Sequence, residues 1–182
     1  MRMRIPAKLA ALSALSLFAL AGLPACGGEG AKDATSAKDS GKGIKEGDKA
    51  PTFSIDSLNG QGKVAVAPGK VTLVDFWATW CEPCKKSFPK YQDLYTKYKA
   101  SGLEIAAVSV DDEKGGIPDF AKTHGAKFPV GWDEGHKIAD QYKPENMPSM
   151  YIVGKDGMVK HVHKGYHDGE EAEIDKEIKE LL

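Results

Sequence analysis

The sequence predicts a mixed α/β domain, a sheet with helices on its faces, and three observations carry that prediction. Short runs rich in Val, Ile and aromatic residues alternate with longer stretches in which apolar residues recur at helical spacing. The runs are bounded by Asn-Gly, Pro-Gly or Asp-Gly pairs, which are turn formers. Their order is two strands, then strand–helix–strand units, then a closing hairpin and a last helix. The chain has 182 residues, 41% hydrophobic and 28% charged, enough for one core and too few for two large ones. A net charge of −1 carries no basic excess, which argues against a nucleic-acid partner.

At the start, Arg2, Arg4 and Lys8 precede the apolar run "LAALSALSLFALAGL", followed at once by "PAC". Its fifteen residues fall short of the roughly 20 that a bilayer core requires, so residues 1–25 read as a secretory signal peptide. The segment "LPAC" resembles the lipobox of bacterial lipoproteins, which implies a lipid on Cys26 and a membrane anchor; plain cleavage or a free thiol are the alternatives. A third cysteine also needs such a role, because an odd count cannot be fully paired. Loss of residues 1–25 removes three positive charges and no acids, taking the formal charge from −1 to −4. Residues 27–43 hold nothing large and apolar and read as a flexible tether, with Cys26 at its head, averaging about 20 Å of reach. The folded domain is expected over 44–182.

Within it, "TFSIDSL" (52–58) and "KVAVA" (63–67) read as an N-terminal β-hairpin. "VTLVDFW" (71–77) reads as a buried strand, 82–100 as a helix and "LEIAAVSV" (103–110) as a second buried strand. A central insert follows, with helices over 116–124 and 134–143. "SMYIVG" (149–154) and "MVKHVH" (158–163) form a hairpin around Asp156-Gly157. The last helix, 168–182, turns Ile174, Ile178 and Leu181 inward and otherwise reads as solvated.

On that frame Cys81 and Cys84 fall on the first turn of a helix that follows a buried strand. Pro83 fits there because first-turn N–H groups lack intrahelical partners, and the positive helix end stabilises an anion at Cys81. The thiolate is the species that attacks disulfides, and the spacing lets Cys84 reach back and close a ring. Structural zinc wants four ligands, and no second CxxC or HxxxH pair stands in the chain, so no metal is assigned. A static crosslink over so small a loop removes little entropy from the unfolded chain. A redox pair remains.

The segment "LVDFWATWCEPCK" resembles the active-site segment of thioredoxins. With "WCEPCKKSFP" and the leading "GDKAPTFSIDSLNG" it is most similar to the membrane-tethered thiol–disulfide oxidoreductases of the TlpA/ResA type, over roughly 44–182. The resemblance implies a thioredoxin-like fold with an N-terminal hairpin and a helix-containing insert between Asp111 and Pro148. It also implies a cis Met147-Pro148 bond opposite the cysteines, in "NMPSMYIVGKDG". Cys81 would be the exposed nucleophile and Cys84 the resolving thiol of a redox-active disulfide. Trp77 and Trp80 would shield the dithiol, and Pro148, lacking an N–H, would keep the approach to Cys81 open.

Asp75 interrupts an apolar run where an unpaired charge is costly, so it is assigned proton exchange with Cys84, directly or through water, with a pKa raised by burial. Thioredoxins usually carry a Lys on the neighbouring strand; here Ala107 aligns with it. Many tethered relatives have Asn at position 75, and some have Glu at position 87, where this chain has Ser87. Glu82 either repels a Cys81 thiolate, which lowers the reduction potential, or is a solvated first-turn acid.

His161 and His163 share one face of a strand with His167 beyond, a pattern open to copper or zinc but more often solvated. Two functions follow. The first is a lipid-tethered oxidoreductase outside the cytoplasm, reducing client disulfides in the manner of cytochrome c or copper-site assembly. It would be recharged by a membrane electron-donor protein and need no cofactor. The second is a copper-handling module, though copper-delivery relatives space their cysteines CxxxC. A peroxidase is disfavoured because Ala78 stands where its Thr would be.

Overall fold

The computed structural model describes residues 42–182; the signal-peptide and Cys26 readings, and most of the tether, lie outside them. Among the described residues seven strands and four α-helices follow in chain order. β1 (Ser54–Asp56) and β2 (Lys63–Ala65) form a two-stranded antiparallel sheet. β3 (Val71–Trp77), β4 (Leu103–Ser109), β5 (Val130–Trp132), β6 (Ser149–Val153) and β7 (Val159–Lys164) build a mixed sheet in the order β5-β4-β3-β6-β7. α1 (Glu82–Tyr98), α2 (Ile117–Thr123), α3 (Ala139–Tyr142) and α4 (Glu170–Leu181) accompany it.

β3 lies at the centre, parallel to β4 and antiparallel to β6, and all seven of its residues are buried. A strand covered on both faces needs an unbroken apolar run, which is what "VTLVDFW" supplies apart from Asp75 and Thr72. Alternation along the strand sends Trp77 to one face, against Phe88 of α1 and Phe120 at 4.7 and 4.5 Å between ring centroids. Phe76 goes to the other, against Tyr142 and Tyr151 at 5.1 and 5.9 Å. α4 packs beside α1, tied to it by Lys97 and Tyr98, which both bond Asp175. Its Ile174 and Ile178 are fully buried.

β5 was not expected from the sequence. It has three residues, preceded by Pro129 and carrying Gly131 at its middle, too short and too interrupted for a period to show. Gly131 is there because the first hairpin lies on it: a Cβ would sit 2.8 Å from Val64 Cγ2 and 2.9 Å from Ile55 Cδ1. Asn59 fastens the same hairpin, donating to Phe128 O at 2.9 Å and accepting from Val130 N. The helix expected over 134–143 divides instead into a 3-10 turn, Glu134–His136, and the single turn α3. Gly135, at φ +72°, breaks it, and Asp133 re-initiates the backbone by accepting from Ile138 N and Ala139 N. Among the described residues no helix is long and apolar enough to cross a membrane.

Candidate active site

β3 ends at Trp77, and four residues later the chain enters α1 through Cys81, its N-cap, with extended backbone at φ −79° and ψ 108°. Cys81 and Cys84 are joined, with S–S 2.04 Å and Cα atoms 5.3 Å apart. Cys84 N donates to Cys81 Sγ at 3.2 Å, so the N-cap acceptor is the sulfur itself. Reduction leaves that amide and the helix dipole aimed at a Cys81 thiolate. Cys81 is only 4% exposed, less than the exposed nucleophile expected, and Cys84 is fully buried, so what access there is belongs to Cys81.

The loop before Cys81 is held by a residue the sequence reading passed over. Buried Asp111 accepts from Thr79 N at 3.0 Å and from Thr79 Oγ1 and Ser109 Oγ at 2.6 Å each. Its own carbonyl accepts from Trp132 Nε1 at 2.7 Å, joining the loop to β5. Asp111→Ala leaves several of these donors unpaired, and we expect it to lower stability by about 3 kcal/mol. The shift in denaturant midpoint at unchanged slope checks this.

Pro148 is preceded by a cis peptide bond. Phe76 pairs with Ser149 in the antiparallel β3/β6 register, which sets Pro148 beside Trp77 at the sheet end from which the cysteine loop departs. Trp80 is 68% exposed, next to Cys81, while Trp77 is buried. Glu82 points to solvent and pairs with Lys85 at 2.8 Å; that hydrogen bond holds its carboxyl below the usual range. A carboxylate turned to a lysine in water adds little repulsion at Cys81, which favours the solvated reading of Glu82.

Asp75 is fully buried, and neither Oδ has a hydrogen-bond partner among the described residues. Burial, and then the charge of Glu170, push its carboxyl well above the usual range. The register places Ala107 beside it on β4, so there is no neighbouring lysine at that position, as the alignment suggested. On the other side Asp75 pairs with Met150, and Met150 with His163, so all four share one face of the sheet.

His163 is neither solvated nor free for a metal. Its Nδ1 lies 3.0 Å from Glu170 Oε1 and its Nε2 2.7 Å from Glu177 Oε2, while His161 Nδ1 lies 3.1 Å from Glu177 Oε1. Among the described residues no cluster of His, Cys, Asp and Glu suited to a metal ion occurs. Glu170 is thus a buried acid of the Asp75 face that the sequence reading placed on a solvated helix. The signal was present: Glu170, Ile174 and Ile178 are spaced by four, so the inward stripe of α4 begins with a carboxylate.

The AhpC/TSA family model matches residues 46–162. Thiol-disulfide oxidoreductase ResA of Bacillus subtilis is 37% identical over 123 residues, covering 67% of this chain and 69% of that protein. ResA of Oceanobacillus iheyensis is 36% identical over 133 residues, covering 70% and 69%. A crystal structure from Chlorobium tepidum, described as a thiol:disulfide interchange protein DsbE, superposes with a TM-score of 0.70 at 31% identity, over 76% of this chain and 98% of that one. With the CxxC pair capping α1 and the cis proline beside it, the chain belongs to the AhpC/TSA thioredoxin-like family, in which its relatives are the ResA thiol-disulfide oxidoreductases.

Proposed function

We propose that this thiol–disulfide oxidoreductase works outside the cytoplasm, tethered by lipid on Cys26, and reduces disulfides of client proteins, of the kind met in cytochrome c or copper-site assembly. The observation that carries the redox reading is the Cys81–Cys84 disulfide within one helical turn. It joins residues that the helix already holds together, so it adds almost nothing as a crosslink. It has a place as a store of two electrons.

The cycle balances on these residues. The Cys81 thiolate attacks one sulfur of the client disulfide; a Cys81–client bond forms, the client S–S bond breaks, and the departing thiolate takes a proton. Cys84 then loses its proton and attacks Cys81 Sγ, which releases the second client sulfur and closes Cys81–Cys84. Two electrons have passed to the client. A membrane electron-donor protein with a dithiol restores them. Exposed Trp80, with Pro148 at the same sheet end, supplies a surface for the client chain around Cys81.

Cys26→Ser is expected to release the protein from membranes with disulfide exchange unaltered, read by fractionation and by reduction of a model disulfide. A variant that stays membrane-bound overturns the lipid anchor and assigns retention to the uncleaved apolar segment.

A further inference from the structure

We propose that Glu170 is the second carboxyl of a proton relay that serves Cys84 through Asp75, with His163 and Glu177 as its outlet to solvent. The proposal rests on the dithiol reading above and adds a positioning residue to it. Asp75 and Glu170 come from β3 and α4, lie over the same sheet face, and both are buried. Among the described residues both oxygens of Asp75 and Oε2 of Glu170 lack a hydrogen-bond partner, so a proton passes between the two acids through a bridging water. Burial, and then the charge of Glu170, push the Asp75 carboxyl well above the usual range, so Asp75 keeps its proton.

That proton sets the chemistry. A protonated Asp75 can accept a proton from Cys84 on one oxygen only while giving up its own from the other, and the acceptor must be another base on the same buried face. The remaining ionisable groups over this face are few. α1 presents Cys84 and Tyr91, and Tyr91 is a buried phenol whose pKa burial pushes far up. α4 presents Glu170 and Glu177, and β7 presents His161 and His163. From the turn before α4, Tyr166 bonds Glu171 and His167 Nδ1 lies 3.8 Å from Glu170 Oε2. Lys90 pairs outward with Glu171.

Glu170 is the base in this set that also continues a chain. From Oε1 the path runs 3.0 Å to His163 Nδ1 and then 2.7 Å from Nε2 to Glu177 Oε2. Glu177 is 12% exposed and also meets half-buried His161. A neutral imidazole protonated on Nε2 takes a proton at Nδ1 and passes its own to Glu177. The net step moves one proton from the Cys84 sulfur to solvent, with no electron transferred along the relay. The cost of burying Glu170 is then understandable, since a purely structural position in the Glu170, Ile174, Ile178 stripe would be better filled by an apolar residue.

The reduced full-length chain carrying Cys26→Ser, which leaves Cys81 and Cys84 as its thiols and serves as the wild-type reference, is reacted with 5,5′-dithiobis(2-nitrobenzoate) from pH 5 to 9 and reads the two steps separately. The first release of thionitrobenzoate reports Cys81 attack and the second reports resolution by Cys84. Glu170→Gln is expected to leave the first phase unchanged and slow the plateau of the second about tenfold or more, with Glu170→Asp restoring part of it. Glu177→Gln, at the outer end, is expected to slow the second phase as well, and decides the matter alone if Glu170→Gln does not fold. If Glu170 acted only as a nearby charge, its removal would move the midpoint of the pH profile and leave the plateau intact. A second-phase plateau that either folded variant leaves within about twofold of wild type overturns the relay. Wild-type protein that releases no thionitrobenzoate overturns the dithiol reading, and the relay with it.

Discussion

Cys84→Ser protein mixed with an oxidised client retains the client on Cys81 as a stable mixed disulfide, whereas Cys81→Ser retains none and loses exchange by about three orders of magnitude or more. The expectation follows from the first turn of α1. Cys81 is the sulfur of the two with any exposure, and the one that receives the Cys84 amide and the helix dipole. Cys84, fully buried, is reached only from Cys81, three residues away. Removing the inner thiol therefore stops the cycle after its first step, and removing the outer one stops it before. Non-reducing electrophoresis of the two variants with a model disulfide reads both results. An adduct on Cys81→Ser would reverse the assignment.

Asp75→Asn is expected to raise the stability of the oxidised protein at pH 7.5 by about 3 kcal/mol relative to wild type, the order an uncompensated buried charge costs, with much less gain at pH 4. Burial, and after it Glu170, raise the folded pKa of Asp75 above its unfolded value of about 3.9. Below the unfolded value the acid is protonated in both states and costs nothing through its charge. As pH rises from the unfolded value to the folded one, the native state holds a proton that the unfolded state has lost, so stability falls over that range and the loss persists above it. Asparagine has no proton to lose, and the penalty disappears. The same substitution is expected to slow resolution of the mixed disulfide, because it removes the proton acceptor proposed for Cys84. Denaturant unfolding at the two pH values, paired with resolution rates, tests the coupled outcome. A variant no more stable at pH 7.5 and resolving at the wild-type rate excludes Asp75 as the acceptor.

How much of this was legible depended on whether a residue's role was local. The buried run 71–77, the CxxC pair opening a helix and the last hairpin are written in short stretches, and the fold places them as read. The cis bond at Met147-Pro148 followed from resemblance, and its place beside Trp77 from the β3/β6 register. β5 escaped because a three-residue strand is defined by its partners, β4 along its edge and the hairpin over Gly131, and not by any period of its own. Asp111 escaped because its three donors lie at Thr79 and Ser109, a loop and a strand end that no spacing links. His163 and Glu170 were each visible alone. A histidine on a half-buried strand and a glutamate on an amphipathic helix look solvated until the row from Asp75 through Met150 to His163 brings them under one helix. Long-range polar pairing is set by topology, and one sequence displays only its members.

The measurement that bears most directly on the account is the redox equilibrium of the Cys81–Cys84 pair in glutathione and dithiothreitol buffers of graded potential, followed by thiol alkylation. Full and reversible interconversion is expected, with a reduction potential more negative than about −180 mV, on the reducing side of the dithiol family. A pair that does not equilibrate with these buffers, or one poised near about −120 mV as a strong oxidant, would contradict it.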